Sequence, residues 1–303
     1  MKNAPPLALF ISVTSVSFAA ILIAAVNYYS PLLHPLAIAF YRLLFTTLLL
    51  TPVALFHHPS RQEICVLPRK TILILAGIGF ILAMHFSLWI TSLTMTSISS
   101  SVFLVTAHPV IVAPISFFLL KEALHRLNVV GIILSVCGVF LLVVGNYGFA
   151  LGGIDSLGGN ILAFLGGGAA GLYILGGRIM RKNLSVITYA FLVYFFTTII
   201  LFCICLLTNT LFVGLTTFAL LLLFIMAVIS GIFGHTLYNW ALRYVRASMA
   251  SVALLGEPIG STLWAFILPL PFLHQIPTVF TLFGGLLILI GIYLTSRKRK
   301  EGT

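Results

Sequence analysis

Charge is what this chain has least of. Asp, Glu, Lys and Arg together make up 7% of its 303 residues, and only five of those charges are acidic. A water-soluble domain carries about 25% charged residues, so no soluble fold of this length is expected. Cysteine is scarce as well, at four residues. Cys203 and Cys205 are two apart, so on a helix they point to different faces and cannot share a metal. Cys137 falls in mid-span and Cys65 in a connection, and no disulfide is expected. Signatures of known chemistry are missing too. The sequence has no phosphate-binding loop, no His-Glu-x-x-His and no Gly-x-Ser-x-Gly, so direct drive by ATP is excluded. Gly166, Gly168 and Gly171 spell G-x-G-x-x-G, but a dinucleotide site needs a preceding strand and a following acid, and neither is present. These glycines read as close helix packing.

Long apolar runs take the place of charge. Hydrophobic residues account for 61% of the chain and mean hydropathy is +1.20. Ten spans of the length a bilayer requires are expected at 7–28, 34–56, 71–92, 96–120, 126–145, 158–178, 186–208, 217–242, 247–270 and 274–296. Fifteen of the sixteen Lys and Arg fall at ends and connections that alternate to one side. They are Lys2; Arg61, Arg69 and Lys70; Lys121 and Arg126; Arg178, Arg181 and Lys182; Arg243 and Arg246; and Arg297, Lys298, Arg299 and Lys300. The opposite connections, near Ser30, Thr94, Asp155, Asn209 and Leu273, carry none. Because cytoplasmic connections are enriched in Lys and Arg, both termini are expected to be cytoplasmic. Basic residues in twos and threes at helix ends form no stripe along phosphates, which argues against nucleic acid despite a net charge of +11. Lys2 and the run after it imitate a secretory signal. That run is about twenty residues long with no small-x-small cleavage site, so it reads as an uncleaved first span.

The chain repeats itself. AFYRLLFTTLLL at 39–50 lies over AFLVYFFTTIIL at 190–201, offset by 151, with six of twelve positions identical, including Phe-Thr-Thr at 45–47 and 196–198. Residues 88–109 lie over 237–258 at an offset of 149, pairing Leu88 with Leu237, Leu93 with Leu242, Ser99 with Ser248 and Pro109 with Pro258. The last spans share a spacing, Gly131 and Gly138 against Gly284 and Gly291. Three matches in one order indicate a duplicated unit of five spans. Five is odd, so the second unit enters the bilayer from the other side. The expected fold is therefore an all-α integral membrane protein of ten transmembrane helices in two inverted five-helix repeats, an arrangement typical of secondary transporters with a site between the halves.

On AFYR at 39–42, HPVIVAPISFFLLKEALHRLNVVGIILSVCGVFLL at 108–142, LLGEP at 254–258 and GGLLILIGIYL at 284–294, the chain resembles the EamA family of the drug/metabolite transporter superfamily. The resemblance covers 8–144 and 158–296, leaving 145–157 as an outside linker and 297–303 as a basic cytoplasmic tail. It implies a multi-pass protein of the cell (inner) membrane and a central cavity lined by the first, third and fourth helix of each half. It also implies export of small metabolites such as amino acids. One departure stands out: Lys121-Glu122 precede the fifth span, whereas Pro269-Leu270-Pro271 stand at the corresponding place of the second half.

Ionisable groups in mid-membrane are costly and mark candidate sites. Glu257 and His108 occupy matching positions near the midplane, each followed by proline, where a helix opens easily. Glu257 reads as a substrate or proton site with His108 as its polar counterpart; the alternative is a buried structural carboxyl. His235, Tyr238 and Asn239 share one face of the eighth span. His85 and Trp89 share one face of the third, so the two faces are expected to confront each other across the cavity. Interfacial anchoring is the other reading of Trp89. Tyr173 joins as a further candidate from the sixth span. Arg42, matched by Val193, either snorkels outward or binds helix carbonyls, or else meets a substrate carboxylate. The expected activity is secondary active transport of a small polar organic molecule by alternating access, with protons as a candidate coupling ion. No cofactor or metal is expected, and a homodimer is compatible with the architecture. The rival readings are a polytopic membrane enzyme using Glu257 and a histidine as acid and base, and a passive channel.

Overall fold

The structure, a computed structural model, describes residues 4–92, 95–96, 98–147, 155–210, 212–268 and 276–296. The basic tail, most of the 145–157 linker, and Pro269, Leu270 and Pro271 lie outside the described residues. In chain order the elements are α1 Ala4–Tyr29, α2 Pro35–Phe56, α3 His58–Cys65, α4 Arg69–Ser92, α5 Ile98–Thr106, α6 Pro109–Leu120, α7 Arg126–Tyr147, α8 Asp155–Met180 and α9 Val186–Leu207. They continue with α10 Thr217–Met226, a π-helix Ala227–Thr236, α11 Leu237–Ala241, α12 Ala247–Leu254, α13 Glu257–Ile267 and α14 Val279–Ser296. Among the described residues, ten helical stretches are long and apolar enough to cross a bilayer. The fourth span is α5 with α6, the eighth is α10 through α11, and the ninth is α12 with α13.

Polar side chains mark where the apolar helices start. Ser185 accepts the Thr188 amide at 3.2 Å to begin α9, and Thr216 accepts that of Ala219 at 3.2 Å to begin α10. The tenth span starts at Val279 rather than the expected 274. Pro277 precedes it, and Thr278 Oγ1 accepts the Thr281 amide at 3.2 Å, which sets the start there. Prolines split the fourth and ninth spans at matching places. Pro109 and Pro258 each sit in the first turn of the second segment, α6 and α13, where a missing amide costs nothing. The π-helix in the eighth span was not expected from the sequence. It contains Ser230, Gly231 and Gly234, and Thr236 Oγ1 donates to Gly231 O at 2.9 Å, five residues back.

The two halves are inverted about an axis that the structure locates. Thr47 and Thr198, equivalent under the offset of 151, touch each other, with their Oγ1 atoms 3.1 Å apart. A residue in contact with its own symmetry mate lies on the axis. The antiparallel pair α7 and α14 repeats the point. A Cβ on Gly131 would lie 2.7 Å from Gly291 O, and one on Gly138 would lie 2.6 Å from Gly284 O. The reverse contacts, Gly291 on Gly131 and Gly284 on Gly138, are just as crowded. Exchanging 131 for 284 and 138 for 291 turns each contact into the other, as a two-fold requires. Without Cβ atoms the two backbones approach until their carbonyls touch the facing helix, which gives the dispersion contact that replaces the hydrophobic effect inside lipid. Elsewhere α4 packs on α8 and α1 on the eighth span, so each half's first helix lies against the other half's third.

Candidate functional site

A cavity of about 440 Å³ lies between the halves. Its lining comes from α1, α2, α4, the fourth span, α7, α8, the eighth span and the ninth span. These residues cluster from mid-membrane toward the end of the bundle opposite the basic connections: Ala24 on α1, Trp89 on α4, Val102 on α5, Leu142 on α7 and Ala265 on α13. The walls are largely apolar, with Val16, Ala19, Leu82 and Val105 among them, and the polar groups are few and individually placed.

Two of those groups are ionisable and of opposite type. Arg42 is only 6% exposed, and its guanidinium carbon sits 5.2 Å above the Phe86 ring, a cation–π contact. It does not snorkel, contrary to one of the expectations, because α2 turns this face toward α4 and the eighth span. Its Nη2 has no hydrogen-bond partner. Glu257 opens α13, so its carboxylate sits at the positive end of that helix. The two charges line the same cavity without pairing: among the described residues the one ion pair within 4.0 Å joins Arg178 to Glu122.

Further unpaired polar atoms surround them. Trp89 Nε1, His108 Nδ1 and the Tyr238 hydroxyl are buried with no partner, and all three side chains line the cavity. Buried polar atoms are normally satisfied, so three unpartnered ones around one cavity set this region apart. His85 is already used in part. Its Nδ1 donates to Gly166 O at 2.9 Å, which fixes the tautomer, and its ring stacks with Trp89 at 6.1 Å. Gly166 permits this, since a Cβ there would meet the backbone of Trp89 at 3.2 Å.

The faces expected to confront each other do meet. His235, from the π-helix, meets Phe86 on α4 in a T-shaped contact with centroids 6.5 Å apart. His85, Trp89, His108, Tyr173, His235, Tyr238, Glu257 and Arg42 all line the cavity. Asn239, expected beside them, lies outside the lining. It is fully buried, its Nδ2 donates to the hydroxyls of Tyr173 at 2.7 Å and Tyr194 at 3.0 Å, and its backbone carbonyl accepts from Arg181 Nε at 2.9 Å. Asn239 therefore ties a buried tyrosine layer together rather than facing a ligand.

Comparison with known proteins now decides the family. The model of the EamA-like transporter family matches residues 6–144 and 157–297. The chain belongs to the EamA-like transporter family. It is similar to an uncharacterized transporter of Archaeoglobus fulgidus, 25% identical over 279 residues, with 89% of this chain and 90% of that protein covered. A solved structure described as the crystal structure of a protein shares the fold with a TM-score of 0.80 at 15% identity, covering 97% of this chain and 96% of that one.

In this EamA-like chain, sequence reasoning missed Phe86 and Tyr194. Phe86 lies between His85 and Trp89, one residue off the helical face used to find them, yet it carries the Arg42 contact. Tyr194 stood in the matched repeat segment AFLVYFFTTIIL, but nothing there marked its hydroxyl as the partner of Asn239. The signal that could have found it is polarity on an otherwise Leu- and Phe-rich face.

Proposed function

We propose that the protein is a secondary active transporter that exports a small polar organic molecule across the cell membrane by alternating access. Both termini are then cytoplasmic, in keeping with the basic connections. The observation that carries the finer reading is the unpaired Arg42 and Glu257 in one cavity. Isolated charges in a low-dielectric interior cost several kcal/mol each, on the order of magnitude found for buried ions, and a ligand bearing both signs relieves both. The ligand class is therefore a zwitterion with an apolar body, such as an amino acid or a related compound. Its carboxylate meets Arg42, aided by Trp89 Nε1, its ammonium meets Glu257, and its apolar part lies against Leu82, Val102 and Val105.

Glu257 also supplies a coupling device. A carboxylate holds either a proton or the substrate ammonium. Competition between them exchanges one for the other across the membrane, so an inward proton gradient drives the zwitterion outward.

Flux in proteoliposomes tests this with three probes that share one aromatic side chain: a free amino acid, its amide, which lacks the carboxylate, and its N-acetyl derivative, which lacks the ammonium. Only the free amino acid is carried by the wild type. Arg42→Gln abolishes its transport, and Glu257→Gln removes the response to an imposed pH gradient. Equal flux of all three probes, or a gradient response intact in Glu257→Gln, overturns the reading.

A further inference from the structure

We infer that Glu122 is the latch holding the basic end of this carrier shut, and that it works by tying one half's fourth span to three helix ends of the other half. The inference rests on the carrier reading but on none of the cavity residues.

Glu122 comes just after α6, whose last turn ends in Lys121 with φ +53. Among the described residues only Lys121 and Asn209 hold a positive φ without being glycine. The turn closes on its own helix, with the Lys121 and Glu122 amides both donating to Ser116 O. It sends the Glu122 side chain across the repeat boundary, where both carboxylate oxygens are engaged. Oε1 accepts from Arg178 Nε, at the end of α8, at 2.8 Å, and Oε2 accepts from the Ala247 amide, at the start of α12, at 2.8 Å. Arg178 in turn donates through Nη1 to Leu242 O at 2.9 Å and Arg243 O at 2.8 Å, just past the end of α11.

Each charge sits where a helix end welcomes it: the carboxylate at the N-terminus of α12, the guanidinium at the C-terminus of α11. The pair is also well shielded, with side chains 14% and 9% exposed, so water competes poorly with it. The helices it gathers bear on the cavity. α8 contributes Tyr173, α11 contributes Tyr238, and α12 leads through Leu254 to Glu257. Opening the cavity toward the basic end requires α6 to part from these helices, and Glu122 spans that parting line.

No equivalent is available at the other end. The sequence there reads Pro269-Leu270-Pro271, and no acidic residue occurs between Glu257 and Glu301. Asn27 occupies the position matching Arg178 under the offset of 151. The carrier is therefore built to rest sealed at the basic end. Substrate and proton act against a bias set by one carboxylate.

The test reads conformation and not transport, so its failure is separable from failure of the carrier reading, which the flux experiment addresses. In a background with Cys65, Cys137, Cys203 and Cys205 replaced, single reporters are introduced as Ala250→Cys, fully buried one turn beyond the latch, and Ala24→Cys, in the cavity wall. Maleimide labelling rates are measured in nanodiscs, where both ends are accessible. With Glu122 intact, the Ala24 reporter labels and the Ala250 reporter is protected. Glu122→Ala accelerates labelling at 250 by about tenfold or more, the ratio expected when a charge-assisted contact is lost from one of two states, and slows labelling at 24. Glu122→Gln lies between, because its amide oxygen still accepts from Ala247. Unchanged protection at 250 overturns the latch. Acceleration at both sites overturns it too, since that marks loosening and not a shift between states. If Glu122→Ala does not fold, Arg178→Gln must shift both reporters in the same directions.

Discussion

The two ends of the bundle are built from matching connections and hold together by different chemistry. At the basic end the 57–68 and 181–185 connections meet through Glu63, whose Oε1 accepts the Ser185 amide at 2.9 Å. At the opposite end the equivalent meeting uses hydroxyls, Ser30 Oγ accepting the Thr216 amide at 3.0 Å. Where α7 starts against the end of α14, Asn128 donates to Thr295 O at 3.0 Å and Arg246 donates to Asn128 Oδ1 at 3.2 Å and to Thr295 O at 3.3 Å. The symmetry-related place has Thr278 donating to Gly145 O at 3.2 Å. Duplication supplied one scaffold twice, and the charged contacts that join the halves stand at the basic end. The five acids are Glu63, Glu122, Asp155, Glu257 and Glu301, and two of them bridge the halves at the basic end. Inverted topology makes the two ends equivalent in shape, so polar bonding is what distinguishes them.

Three measurements sharpen that comparison. The largest effect belongs to the seam both ends share. Gly138→Val and Gly284→Val insert atoms where a Cβ already overlaps the facing backbone, and each should cost roughly 3 kcal/mol or more, to similar extents, in thermal unfolding. A large inequality between them would break the two-fold in the middle of the molecule. Next, Arg246→Ala removes a charged donor from three acceptors and should cost about 2 kcal/mol, against under about 1 kcal/mol for Thr278→Val. Equal costs would mean that the two ends are held alike.

The smallest effect is a dependence on pH. Burial opposes ionisation of Glu63, but hydrogen bonds from Ser185 and Thr188 and the charge of Arg181 outweigh it and hold the carboxyl below its usual range. A carboxyl lowered on folding stabilises the fold at pH above its unfolded value, near 4.3, and that contribution fades as pH falls through the folded value. Glu63→Gln should therefore melt lower than wild type at pH 7 and converge with it in acid. Ser30→Ala should show a difference that does not change with pH. A Glu63→Gln deficit constant from pH 7 to 3 would show that the carboxylate is not what joins these connections.

Much of this was legible in the chain. Hydropathy gave ten spans because a bilayer tolerates only helices whose backbone bonds are internal. The Phe-Thr-Thr match pointed to residues that turned out to meet on the axis, and the prolines after His108 and Glu257 marked real breaks. The fate of single side chains was less legible. Arg42 was open to three readings, of which snorkelling is the one its burial removes, and Asn239 looked like a cavity residue by sharing a face with His235. A helical face is wide enough to touch both a cavity and a neighbouring helix, and spacing alone does not say which edge meets which. Tyr238 and Asn239 are neighbours about 100° apart around α11, so the first lines the cavity while the second enters the tyrosine layer.

By itself the sequence determined the class of fold, the duplication and the uneven distribution of charge, because each stems from local composition and chain order. Only the tertiary structure decided that Arg42 and Glu257 share a cavity without an ion pair and that Glu122 reaches two helix ends and, through Arg178, a third. Those facts depend on how helices rotate and lean against one another, and in a bilayer that is set by close packing between particular small residues rather than by hydrophobicity.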